Sequence, residues 1–188
     1  MPVNETLNSI KNRRSTRNFK SEQIKAEELQ AVLEAGIYAP SAGNQQAWHF
    51  TVIQNKELLT WLNREAKKKA KQLKIEHLQT MASNESFNIF YGAPTVILVS
   101  GEENAVVIES DCAAATQNML LAAESIGLGS CWVDFVIIAF TGSEGEEYLE
   151  NLGIPDGYKP YASVALGYKN TEAIEPPPRN RNVINYIR

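Results

Sequence analysis

Apolar positions along this chain follow two rhythms, and each switch between them marks an element. Leu7 and Ile10 predict a short helix over Thr6–Asn12 with both side chains facing inward. After Ser21, Leu29, Val32, Leu33 and Ile37 fall at helical spacing across Lys25–Tyr38. Glu27 and Glu28 suit the positive end of that helix, and Pro40 stops it. Trp48 to Ile53, rich in aromatic and β-branched residues, reads as a strand. Lys56 to about Thr80 reads as one helical stretch, including the run Lys67-Lys68-Lys69-Ala70-Lys71. Thr95–Val99 is nearly all apolar, as a central strand covered on both faces requires. Ser110 or Asp111 is placed to cap a long helix to Ile126, ended by Gly127. Gly129–Val133 predicts a short strand, Glu144–Asn151 a helix, and Tyr161–Leu166 the last strand. Glu175-Pro176-Pro177-Pro178-Arg179 forces an extended backbone. Residues 170–188 therefore read as a C-terminal arm on a single domain spanning 1–188. Helices interleaved around one sheet give an α+β class.

At 188 residues the chain buries a sizeable core without disulfide or metal. Its net charge of −4 argues against general nucleic-acid binding, which needs a broad basic surface. Cys112 and Cys131 stand in no metal-ligand or C-x-x-C spacing, so a reducing, cytoplasmic setting is expected. The N-terminus has no basic stretch leading into an apolar run, and no apolar run approaches membrane length. Neither a membrane nor a nucleic acid is expected as a partner.

Two stretches carry candidate chemistry. Arg13-Arg14-Ser15-Thr16-Arg17 concentrates three guanidinium groups around two hydroxyls, a set that grips phosphate, and Arg179 and Arg181 offer a second basic pair. Pro40-Ser41-Ala42-Gly43-Asn44-Gln45-Gln46 is a loop of small and amide residues, and each amide offers donors and an acceptor to a planar polar ring. Phosphate at one end and an amide-lined plane at the other point to a nucleotide-like cofactor. The plainer alternatives are a solvated arginine face and a wet polar loop. His49 reads as a core residue, His77 as surface, and Lys67–Lys74 as a solvated helix face. Gly127-x-Gly129 follows a helix and has Trp132 where a third glycine would stand, so it is no dinucleotide fingerprint.

Arg-Arg-Ser-x-Arg followed by Pro-Ser-x-x-Asn-x-Gln-x-Trp-His-Phe resembles the FMN-dependent nitroreductase family. Tyr91-Gly92-Ala93-Pro94, Gln117-Asn118, Gly127 to Trp132 and Ala165-Leu166-Gly167-Tyr168 extend the likeness from about Ile10 to Arg181. The resemblance implies a three-layer fold, a mainly antiparallel central sheet surrounded by helices, in an entwined homodimer whose interface contains two cofactor sites. It implies non-covalent FMN, with Arg13, Arg14, Ser15, Arg17, Arg179 and Arg181 at the phosphate. Pro40, Ser41, Ala42, Asn44 and Gln46 would meet the ribityl chain and ring. The backbone of Cys131, Trp132, Val133 and Asp134 would face flavin N5 and O4. NAD(P)H would reduce the flavin at N5. A small-molecule acceptor, such as a nitroaromatic or a quinone, would then take the electrons in ping-pong order. Neither a catalytic side chain nor a metal is implied. Two departures stand out: Ala47 where the family usually has Pro, and Asp134 where Gly is frequent. A carboxylate pointed at reduced flavin disfavours the anionic form. An FMN storage or sensor protein shares every cofactor motif, and a phosphate-recognising interaction module needs the arginines alone.

Overall fold

The computed structural model describes residues 4–171 and 175–188; Met1–Val3 and Glu172–Ile174 of the expected arm lie outside the described residues. Four strands, β1 (Trp48–Ile53), β2 (Thr95–Glu102), β3 (Gly129–Trp132) and β4 (Tyr158–Gly167), form one sheet ordered β1-β2-β4-β3. Every neighbouring pair is antiparallel. Around it lie α1 (Glu5–Asn12), α2 (Ala26–Ile37), α3 (Lys56–Ala70), α4 (Glu76–Ser83), α5 (Ile108–Ser125) and α6 (Gly145–Asn151). Two 3-10 segments, Ala42–Asn44 and Phe135–Phe140, bear on the site.

Strand β2 decides the layering. Its side chains alternate between faces. Val96 and Leu98 pack with Leu62, Ala66, Phe90 and Val136 on one side. Ile97 and Val99 pack with Val32, Met119, Leu120 and Val164 on the other. Full burial of each such side chain stabilises by roughly 1.5–3 kcal/mol. Helices α2 and α5 thus cover one face, α3 and Phe135–Phe140 the second, giving the three layers expected. No helix among the described residues is long and apolar enough to cross a membrane.

Five local expectations need correction. Helix α1 buries none of its residues, and Ile10 is 50% exposed because this short helix lies at the rim of the α5 layer. Lys56–Thr80 is two helices, because the buried stripe of Leu59, Leu62, Ala66 and Ala70 ends at Ala70 and Ile75 turns extended. Its lysines are not simply solvated. Lys67 Nζ donates to the carbonyls of Asn84 (2.7 Å) and Phe87 (2.9 Å). Lys69 Nζ donates to those of Ala139 (2.9 Å) and Thr141 (2.5 Å), and lies 4.9 Å from the Tyr148 ring centroid. Both ammoniums hold neighbouring backbone against α3. Helix α5 is capped by neither Ser110 nor Asp111: Val107 takes that position with φ 47°, leaving Asp111 inside the first turn. Strand β4 starts at Tyr158, and the β2 register shifts between Val99 and Ser100 as β4 passes Pro160, which cannot donate to a ladder.

Candidate functional site

The arginine segment is delivered to the sheet as an added edge. Ser15 bridges Ser130 in parallel, the Thr16 N–H donates to the Ser130 carbonyl at 2.9 Å, and Phe19 bridges Lys169 beyond. Close approach requires Gly129, since a Cβ there would fall 2.8 Å from Thr16 Oγ1. Thr16 is buried beneath the segment while Arg17 is exposed beside it, the two-sided alternation of extended chain. The Arg17 guanidinium stands 5.8 Å from the Tyr91 ring centroid. Tyr91 itself takes φ 56°, an uncommon backbone for a bulky residue. Arg14 is partly committed elsewhere: its guanidinium donates to the carbonyls of Lys11 (2.8 Å) and Arg13 (2.6 Å) at the α1 C-terminus. Arg14, Ser15 and Arg17 also line a cleft of ≈ 620 Å³.

Cys131 lies against this cluster. Burial pushes its thiol up, while Arg17, the Ser15 hydroxyl and Arg13 pull the other way. The structure therefore brings Arg13, Ser15 and Arg17 to the strand that carries Cys131 and Trp132. Beyond it, Val133 is fastened at both backbone groups to Ser163. Trp132 Nε1 donates to Asp134 Oδ1 at 2.5 Å, so the carboxylate is turned toward the indole. Burial raises the Asp134 carboxyl above its ordinary range, and the Trp132 hydrogen bond opposes this. The peptide N–H groups of Asp134 and Phe135 have no hydrogen-bond partner among the described residues. They open the first turn of the Phe135–Phe140 segment, where orphan donors and partial positive charge attract anionic atoms.

The amide loop is a separate construction. Ser41 Oγ accepts from the Gln46 N–H (3.0 Å), and Asn44 Oδ1 accepts from Gln46 Nε2 (2.9 Å). Gln45 Oε1 accepts from the Val106 N–H at 3.2 Å. What remains is the Asn44 amide donors, the Gln46 carbonyl and the Ser41 O–H, a mixed edge on an exposed loop. Ala42 N–H points inward to the Asp111 carboxylate, at 3.2 and 3.1 Å from its two oxygens. Sequence reading had no access to that partner, which is 69 positions away.

One chain does not bring the two halves together. The loop leads into edge strand β1, whereas the arginine segment extends the β3 edge. Asp111, under the loop, and Glu124, in the arginine cleft, lie about 20 Å apart along α5 at 1.5 Å per residue. Arg179 and Arg181 are exposed on the extended arm, as are Val183 (70%), Ile184 (67%), Tyr186 (71%) and Ile187 (94%). His49 is half-buried edge-on to Tyr158, and His77 is exposed on α4; neither joins the site.

The family model described as Nitroreductase family matches residues 10–168. A crystal structure of a nitroreductase with bound FMN from Bacteroides fragilis is 37% identical, with a TM-score of 0.92 over 99% of this chain and 100% of that one. A second, from Desulfitobacterium hafniense and also with bound FMN, is 34% identical with a TM-score of 0.92, covering 100% of both chains. A protein of Archaeoglobus fulgidus named as a candidate NADH dehydrogenase/NAD(P)H nitroreductase is 34% identical over 90% of this chain and 88% of its own length.

Proposed function

The chain belongs to the nitroreductase family, and from that premise we propose that it is an FMN-dependent NAD(P)H oxidoreductase serving small electrophilic acceptors such as nitroaromatics and quinones. One observation carries this reading. The Ser15–Ser130 bridge places guanidinium groups beside a strand after which, past Val133, Asp134 and Phe135 present open peptide N–H groups. That donor set fits FMN: cations for a dianionic phosphate, fixed peptide donors for an electron-rich ring edge. Arg13, Arg17, Arg179 and Arg181 would hold the phosphate with Ser15, and Arg14 would add charge from the α1 terminus. The loop from Pro40 to Gln46 would meet the ribityl chain and ring through Ser41, Asn44 and Gln46. When bound, FMN supplies two-electron transfer between nicotinamide and acceptor. Cys131, Trp132, Val133 and Asp134 would orient it through backbone, with the Asp134 side chain held off by Trp132.

Because the loop and the arginine segment lie at opposite sheet edges, a homodimer is the assembly that unites them. Each site would take its arginines from one subunit and its amide loop from the other, with the apolar arm covering the partner. Two thiols buried as free cysteines suit a cytoplasmic setting.

The test is the visible spectrum of purified protein, before and after NADH or NADPH without oxygen. The reading requires a yellow protein that releases FMN rather than FAD, bleaches with a nicotinamide and regains colour with a quinone or nitroaromatic. Parallel double-reciprocal lines are expected, because both substrates would use one ring face in turn. Bound FMN that neither nicotinamide bleaches would move a storage or sensor role ahead.

A further inference from the structure

The loop that would meet the flavin folds on its own short-range bonds, Asn44 N–H to the Ser41 carbonyl, Gln45 N–H to that of Ala42 and Gln46 N–H to Ser41 Oγ, yet its backbone is strained. Gly43 (φ 57°), Asn44 (φ 57°) and Gln46 (φ 52°) all occupy the left-handed region within four residues. Gly43 does so freely and Asn44 tolerably, but Gln46 does not. The segment it rests on is strained as well, since Val107, β-branched, sits at φ 47°. Such conformations persist only where surrounding contacts over-determine them. Across this junction the loop has two polar ties. One is Gln45 Oε1 to the Val106 N–H, on the exposed side. The other is Asp111, 5% exposed in the first turn of α5, with both carboxylate oxygens on the Ala42 N–H. A carboxylate is favourable there because the N-terminal turn presents partial positive charge. Buried beneath the loop, it is out of reach of direct ligand contact.

We propose that Asp111 is a positioning residue for cofactor binding. By clamping the Ala42 N–H it holds Ser41, Asn44 and Gln46 in the strained arrangement that points their free amide and hydroxyl groups outward. This rests on the FMN reading above, and it assigns to α5 the job of pre-organising that half of the site. Without the clamp, the loop would relax toward ordinary backbone and have to be re-ordered whenever a ligand bound. Binding would weaken although no ligand contact had been deleted.

Two variants remove the same hydrogen bond from opposite ends. Asp111→Ala deletes the acceptor. Ala42→Pro deletes the donor at a half-buried position where proline fits, because Ala42 opens a helical turn and Ser41 before it is extended (φ −138°, ψ 152°). In the full-length protein, fluorescence titration with FMN should show each single variant weakened about tenfold or more. Asp111→Asn retains an acceptor and should stay within about threefold of wild type. The double variant Asp111→Ala/Ala42→Pro should be no worse than the weaker single, since coupled sites are non-additive. Without FMN, amide exchange across 41–46 should quicken in both single variants while β2 is unchanged. Wild-type affinity and exchange in Ala42→Pro, or losses that add in the double variant, would overturn the proposal. Should Asp111→Ala fail to fold, Ala42→Pro and Asp111→Asn decide it alone. A wild-type protein that ignores FMN would instead defeat the cofactor reading, and the exchange comparison would still judge the clamp.

Discussion

Replacing Gly129 by Ala tests whether the arginine segment owes its place to close packing on β3. The new Cβ would fall 2.8 Å from Thr16 Oγ1 and 2.9 Å from Lys169 Cγ, against 3.4–4 Å for ordinary contact. Rotating Thr16 does not relieve the clash, because both its Oγ1 and its Cγ2 (2.9 Å) face the new Cβ and any rotamer leaves one of them there. The Thr16 N–H bond to Ser130 fixes the backbone. The segment must therefore move outward by about half an ångström, and overpacking of this kind costs about 1–3 kcal/mol. For a chain of this size each kcal/mol lowers the melting midpoint by roughly 2–4 °C, so a fall of roughly 2–12 °C is expected. The shift carries Ser15 and Arg17 with it. Losing one charge-assisted bond, about 1.5–3 kcal/mol, would raise the FMN dissociation constant about 10- to 150-fold. Gly127→Ala is the matched control: it places a side chain at φ 83° with nothing within 4 Å. It should lose about 1–2 kcal/mol through strain alone and leave FMN affinity intact. Thermal melts of the apo-protein and fluorescence titration separate the two effects. If Gly129→Ala binds FMN as wild type does, or Gly127→Ala weakens FMN equally, close packing does not position the arginines.

Arg13→Ala, Arg17→Ala and Arg181→Ala should each weaken FMN about 10- to 150-fold by the same charge-assisted increment; unchanged titrations in all three would leave a solvated arginine face. Removing everything after Asn170 should abolish both dimer and flavin, and a truncated protein that elutes as a yellow dimer would refute the role given to the arm. Burial, with Asp111 beside it, pushes the Cys112 thiol up to about 12. It should resist a disulfide reagent at pH 8 until urea is added. The fold keeps this proton while the unfolded chain loses it near 9.0, so stability should fall as pH rises from about 9 to 12. That component of the slope should vanish in Cys112→Ala; an unaltered slope there would show that another group titrates.

Much of this protein is local and therefore readable in one dimension. The apolar run Thr95–Val99 can only be a strand covered on both faces, and Gly127 ends α5 at φ 83° where other residues pay in strain. Guanidinium groups three and four positions apart, and a loop dense in amides, declare their chemistry before any folding. Residues coupled only through space were out of reach. Nothing in the spacing links Lys69 to the carbonyls of Ala139 and Thr141, so a charged run looked like a wet surface. Asp111 looked like a helix cap until the fold set it beneath Ala42. Periodicity carried one helix through Lys71–Ile75, because it counts intervals and cannot tell that no layer remains to pack against. Residue type determined which groups can bind a phosphate or a polar ring. The sheet order β1-β2-β4-β3 decided where they stand, setting the arginines at one edge and the amide loop toward the other. Strand order depends on contacts between distant segments, and the alternation of side chains along any one strand is the same whichever neighbour it finds.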